Sequence, residues 1–204
     1  LSLMKKGKKY AKIKSMNDPR GSNWRKWDLH IHTPGTKKND QYEIEGQDTW
    51  DVFCNKVNES DVKAIGITDY FSADSYFNFL GKFGAKYGKS EKVFFPNIEL
   101  CTNDVVNAGN EEVNLHLIFN PSAPEIEAKI RTFLQNLKTN KTVTGGRNVK
   151  ASELSSKTDY EEATTTREFI ESALAETFGD KVDLTEFVLI FTAANNDGIR
   201  TETE

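Results

Sequence analysis

Residues 27–36, "WDLHIHTPGT", alternate apolar and polar side chains through their first six positions, the period of a β-strand. Two of the three histidines in the chain sit in this stretch, one residue apart. Alternate side chains of a strand share a face, so Asp28, His30 and His32 are expected to point one way and Leu29 and Ile31 the other. Two imidazoles at i and i+2 can reach one metal ion, with Asp28 holding a ring N–H from behind. Two histidines satisfied by backbone carbonyls are the plain alternative, and the HxH spacing alone does not separate the two.

Outward from this strand the chain alternates strand and helix patterns. "DTWDVFCNKV" sets Trp50, Phe53, Cys54 and Val57 on one helical face, and "KAIGIT" reads as a short buried strand. "SADSYFNFLGKF" predicts a helix with Ser72 or Asp74 as its cap. "VFFPNIEL" predicts a strand in which Pro96 marks an edge, a bulge or a break. "VNLHLIF" is a further strand, and "APEIEAKIRTFLQNL" carries the apolar stripe Ile126, Ile130, Phe133, Leu134 and Leu137. Residues 139–164 are polar and threonine-rich, which predicts a mobile loop holding a short turn or helix. "TTREFIESALAETFG" has a threonine cap and a closing Gly179, and "FVLIFTAANNDG" ends the series as a buried strand running into a turn. This alternation predicts an α/β fold, a parallel or mixed sheet with helices outside.

The chain has 204 residues, enough for one domain with a buried core and short for two. No apolar run approaches the roughly 20 residues of a membrane-spanning helix, and the start lacks the apolar stretch of a secretory signal. Cys54 and Cys101 form neither a disulfide framework nor a CxxC pair, so a reducing cytoplasm is the expected location and no membrane partner is expected. The net charge of −4 argues against wholesale coating of nucleic acid. Residues 4–14 nevertheless carry six lysines and no acid, making residues 1–20 a basic arm. A solvated, frayed terminus is the simpler reading of that arm, and a grip on phosphate backbones the sharper one. Gly88-Lys89-Ser90 has the tail of a phosphate-binding loop, but Phe83 stands where the motif needs glycine, so a solvated turn is expected.

The ends of the other apolar strands change the weight of the histidine pair. "AIGITDY" brings Asp69, "FFPNIEL" brings Glu99, and "VNLHLIF" brings His116, the third histidine. Polar residues at the C-terminal ends of parallel barrel strands converge on one face. Buried titratable groups without partners cost several kcal/mol each. Divalent ions relieve that cost, and three histidines with carboxylates suit zinc, manganese or iron.

"DLHIHT", "AIGITDY", "NIEL" and "NLHLIF" together resemble the successive motifs of a PHP (polymerase and histidinol phosphatase) domain. "GSNWRKWDLHIHTPGT", "PNIEL" and "NLHLIFN" resemble more narrowly the N-terminal PHP domain of TrlF-type SMC-like AAA ATPases. The resemblance covers residues 21 to about 120 and returns at "LIFTAANNDGI". It implies a distorted β/α barrel related to the TIM barrel, complete or truncated, over residues 21–204, with an ATPase domain elsewhere in a longer chain. It also implies metal-dependent phosphoester hydrolysis, with His30 and His32 on a first ion, Glu99 bridging to a second, and His116 on the second. Asp69 is a candidate ligand or proton acceptor, which makes His30, His32 and Asp69 the catalytic candidates. Tyr70 stands where many PHP domains have a metal-binding histidine, and no histidine follows His116. Asn195, Asn196 and Asp197 are the only polar candidates after the last strand. One or two ions are therefore expected, with Tyr70 unligated.

Two functions compete. The first is a phosphoesterase, a nuclease acting on DNA or RNA within an ATP-driven repair or phage-defence protein, with a lysine or Arg25 steadying the phosphate. The second is a degenerate PHP domain that senses or docks without catalysis; the absent ligands favour it, and the retained HxH, Glu99 and His116 favour the enzyme. A small-molecule phosphatase fits less well, because it calls for the full ligand set. The pattern is compatible with an oligomer.

Overall fold

The computed structural model describes residues 24–38, 42, 48–105, 112–179 and 187–192. The basic arm and Asn195–Asp197 lie outside these residues. Strand β1 (Lys26–His32) leads through α1 (Thr49–Glu59) to β2 (Val62–Tyr70), and α2 (Asp74–Tyr87) leads to β3 (Val93–Val105). Then follow β4 (Glu112–Phe119), α3 (Ile126–Asn136), β5 (Lys138–Thr142), β6 (Asn148–Lys150), a 3-10 turn (Ala151–Glu153), α4 (Lys157–Glu162), α5 (Arg167–Phe178) and β7 (Phe187–Thr192). The main sheet has the order β1-β2-β3-β4-β7, with β1, β2 and β3 parallel and β4 antiparallel to both β3 and β7. The result is an α/β fold in which helices alternate with the strands of a curled, mixed half-barrel. None of the described helices is long and apolar enough to cross a membrane.

Local chemistry sets the helix ends. Asp48 caps α1 by accepting from the Trp50 and Asp51 N–H groups, and Thr166 caps α5 through the Phe169 N–H. Gly179 closes α5 at φ 85°, a conformation open to glycine. In α2 the N-cap is Ala73, and Ser72 acts one residue earlier, its Oγ accepting from the Asp74 N–H at 3.1 Å. Gly88 ends α2, and Lys89 and Ser90 are exposed, the solvated turn expected of this triplet.

Helices cover one face of the sheet. Ile65 and Ile67 meet Phe53, Cys54, Val57, Phe79 and Phe83 there. Ile98, Leu100, Leu117 and Phe119 meet Ile130, Phe133, Leu137 and Ile170. Neither cysteine is in a disulfide; Cys54 belongs to the first of these clusters and Cys101 packs beside the second. Pro96 pairs with Ile67 of β2, whereas pairing with β4 begins only at Asn97. On that side the strand is locally an edge, so the missing N–H interrupts no ladder.

Residues 139–164 keep the short turn and helix expected there, but a hairpin takes the place of the loop before them. They form the β5–β6 hairpin, the 3-10 turn and α4. Thr142, Thr144 and Thr158 are exposed, but Thr139 is fully buried and donates to the Val149 carbonyl, and Thr165, just past the span, is buried and donates to the Lys138 carbonyl. A threonine hydroxyl that satisfies backbone lets a polar sequence pack, and that is why polarity alone misled.

Candidate metal centre

The strand β1 is not regular. Asp28 pairs with Ile65 and Ile31 with Ile67, so Leu29 and His30 together face Gly66 alone, as a β-bulge. The bulge resets the side-chain alternation. His30 and His32 share the face of Thr68, whereas Asp28 falls on the other side and is exposed. The expected Asp28–ring contact is replaced by a bond from the His30 backbone N–H to Asp28 Oδ1 at 3.3 Å.

Gly66 makes the bulge possible, because a Cβ there would fall on the Leu29 carbonyl. That carbonyl crosses β2 and accepts from Asn97 Nδ2 on β3 at 2.8 Å. A bond that skips one strand requires the sheet to curl.

On the concave face four side chains converge. Glu99 of β3 pairs directly with His116 of β4, and both are almost fully buried. His30 and His32 reach in from β1 with side chains 34 % and 23 % exposed, so the centre has a closed base and an open rim. His30 Nε2 lies 3.0 Å from His32 Nε2, and each lies 3.3 Å from Glu99 Oε2. His30, Glu99 and His116 offer ligand atoms all within 4.8 Å of one another, a buried group that can hold a metal ion. Ligand bonds of about 2.0–2.1 Å put neighbouring donors about 3.0 Å apart in octahedral geometry and about 3.3 Å apart in tetrahedral geometry. The triangle of His30, His32 and Glu99 has those edges.

Glu99 Oε1 accepts from Asn114 Nδ2 at 2.7 Å, while the buried Oε2 faces only the two imidazole nitrogens, at 3.3 Å and without good hydrogen-bond geometry. A buried carboxylate oxygen so poorly bonded is costly, and a cation at this point would relieve the cost. Burial pushes the Glu99 carboxyl up, but the imidazoles of His30, His32 and His116 outweigh it and hold it down to about 2. Burial lowers the His116 imidazole to about 4, against the opposing pull of Glu99. At neutral pH the pair is therefore carboxylate and neutral imidazole, the forms that ligate.

Asp69 is not brought into this group. It follows Thr68 on the opposite, helix-covered side, where Oδ1 accepts from Thr36 Oγ1, Lys37 N and Tyr70 N and Oδ2 from Ser75 Oγ at 2.6 Å. Burial raises its pKa, partly offset by these donors. Of the expected site residues Asp69 is the one that stands apart from the centre: the alternation that aims Thr68 and Tyr70 inward turns its side chain away. Tyr70 stacks on His32, with ring centroids 4.8 Å apart and 15° between planes. Lys38 places its Nζ 4.7 Å above that Tyr70 ring, at the rim. Arg25 lies toward the other end of β1, lining a cleft with Trp27, Val93 and Phe95.

Sequence reading missed Thr36, Asn97 and Asn114. The two asparagines had a signal: each stands two residues before a candidate ligand on the same strand, and so on the same face. Thr36 had none, because it reaches the site from the turn after β1. No family model matches the chain, and no curated protein matches it.

Proposed function

We propose that this chain is a PHP-like, metal-dependent phosphoesterase domain holding one divalent ion on His30, His32, Glu99 and His116. The observation that carries the reading is the triangle of His30 Nε2, His32 Nε2 and Glu99 Oε2, with edges of 3.0, 3.3 and 3.3 Å, beside the buried His116. One ion is preferred to two because Asn114 already engages Glu99 Oε1. Three imidazoles and a carboxylate suit zinc, manganese or iron. Bound there, the ion supplies Lewis-acid activation of water and of a phosphoryl oxygen. The half-exposed histidine rim admits substrate, and Lys38 stands over Tyr70 where a phosphate would enter.

The substrate class under this reading is a nucleic acid, with the chain acting as the nuclease part of a longer ATPase-bearing protein. On the same reading the half-barrel is part of a distorted β/α barrel. Incubation with single- and double-stranded DNA and RNA in manganese tests it: cleavage that His116→Gln removes supports the enzyme. A metal-loaded chain that cuts no nucleic acid contradicts it. One observation favours a non-catalytic docking module instead: Asp69 is committed to four donors on the far side of the sheet, which leaves no carboxylate but Glu99 at the centre among the described residues.

A further inference from the structure

The hydrogen bonds behind the candidate ligands carry information that the ligands themselves do not. The Asn97 side chain is buried and meets three groups. One is the Leu29 carbonyl, which only accepts, so the atom 2.8 Å from it is the amide nitrogen. The second proton of that nitrogen goes to Thr68 Oγ1 at 2.9 Å. Asn97 Nδ2 also lies 3.1 Å from His116 Nδ1, but both of its protons are already directed at Leu29 and Thr68. Only the oxygen, 3.2 Å from Nδ1, is left to bond it, and an oxygen there requires Nδ1 to carry a proton. Nε2 of His116 is then the nitrogen with the free lone pair.

The same logic applies on β1. The Thr36 hydroxyl has one proton, and the Asp69 carboxylate, 3.1 Å away, can only accept it. Toward His32 Nδ1, at 3.4 Å, Thr36 can therefore only accept, so that nitrogen carries the proton. His32 Nε2 then keeps its lone pair, and without an ion it is the His30 Nε2–H, 3.0 Å away, that this lone pair can accept.

We propose that Asn97, and Thr36 oriented by Asp69, are positioning residues that preset His116 and His32 in the Nδ1-protonated tautomer before any ion arrives. The proposal deepens the metal-centre reading and rests on it for its purpose, though not for its test. Asn97 has a further part, since its bond to Leu29 also fixes the bulge that aims His30 and His32. Asp69 acquires a role at a distance: it acts through Thr36 and touches no ligand.

The test is long-range proton–nitrogen NMR of metal-free protein carrying 15N-histidine at pH 8. With three histidines in the chain, His30→Gln, His32→Gln and His116→Gln assign each ring by the signals they delete. Protonated Nδ1 and unprotonated Nε2 are expected for His32 and His116, and an Nε2 proton on either ring overturns the proposal. Thr36→Val is expected to release the tautomer of His32 and to weaken zinc binding about 10–100-fold, while Thr36→Ser keeps both. A Thr36→Val protein with the native tautomer and native zinc affinity overturns it as well. Should the wild type bind no zinc, the metal reading fails, and the NMR of the metal-free protein still decides the tautomers.

Discussion

Glu99 and Leu100 are neighbours in β3, as are His116 and Leu117 in β4, and all four are at most 1 % exposed. Leu100 and Leu117 face the helices, where burial stabilises by removing apolar surface from water and any hydrocarbon of the right volume serves. Glu99 and His116 face the concave side, where burial costs free energy unless each polar atom finds a defined partner. The two faces of one sheet are thus equally dry but differ in what they tolerate: the helix side specifies volume, and the concave side specifies atoms.

Leu100→Ala should break the apolar side, at a cost of about 2–5 kcal/mol in denaturant unfolding, while folded molecules keep their metal. Metal loss as large as that of a ligand substitution would mean that the two faces are not independent. Gly66→Ala should damage both, because the new methyl collides with the Leu29 backbone and undoes the bulge. Loss of about 1–3 kcal/mol together with loss of zinc binding is expected. Retained zinc affinity in that variant would show that the bulge does not aim the histidines. Glu99→Gln sharpens the contrast from the polar side: Asn114 can still donate to the amide oxygen, but the charge that the imidazoles favour is gone, so the metal-free protein should lose about 1–3 kcal/mol at neutral pH. The gain expected of the wild type in excess zinc, about 2.7 kcal/mol at a hundred times the dissociation constant, should vanish.

The smallest effect is that of pH on the metal-free protein. His116 titrates in the fold at about 4, below the 6.5 of a free imidazole. Its contribution to stability is therefore complete above pH 6.5 and is lost as pH falls toward 4. Glu99, held at about 2 against an ordinary 4.5, contributes fully above 4.5 and loses its share as pH falls toward 2. Melting temperatures across pH 4–7 should flatten in His116→Gln; an unchanged slope would assign that window to other groups.

Much of this arrangement was legible in the sequence, and the physical reasons for the rest can be named. Period-two alternation identified β1 and apolar runs identified β2, β3 and β4, and the histidines and glutamate stood out on them because a strand buried on both faces must declare its polar positions. The same rule, applied inside "ITDY", sets Asp69 opposite to Thr68 and Tyr70; proximity to the strand end obscured it. Asp28 could not be placed, since the bulge that turns it away is stabilised by Asn97, 69 positions along the chain. The β5–β6 hairpin was hidden because Thr139, buried within it, and Thr165, buried beside it, look like loop residues until the carbonyls they satisfy are known.

The central claim is that the concave face is built around an ion. Elemental analysis of the chain purified without chelator, followed by zinc titration of the chelated protein, tests this most directly. One ion per chain is expected for the wild type, with loss of that ion in Glu99→Gln and His116→Gln and native circular dichroism throughout. A folded wild-type chain that carries no metal and takes up neither zinc, manganese nor iron would contradict the claim.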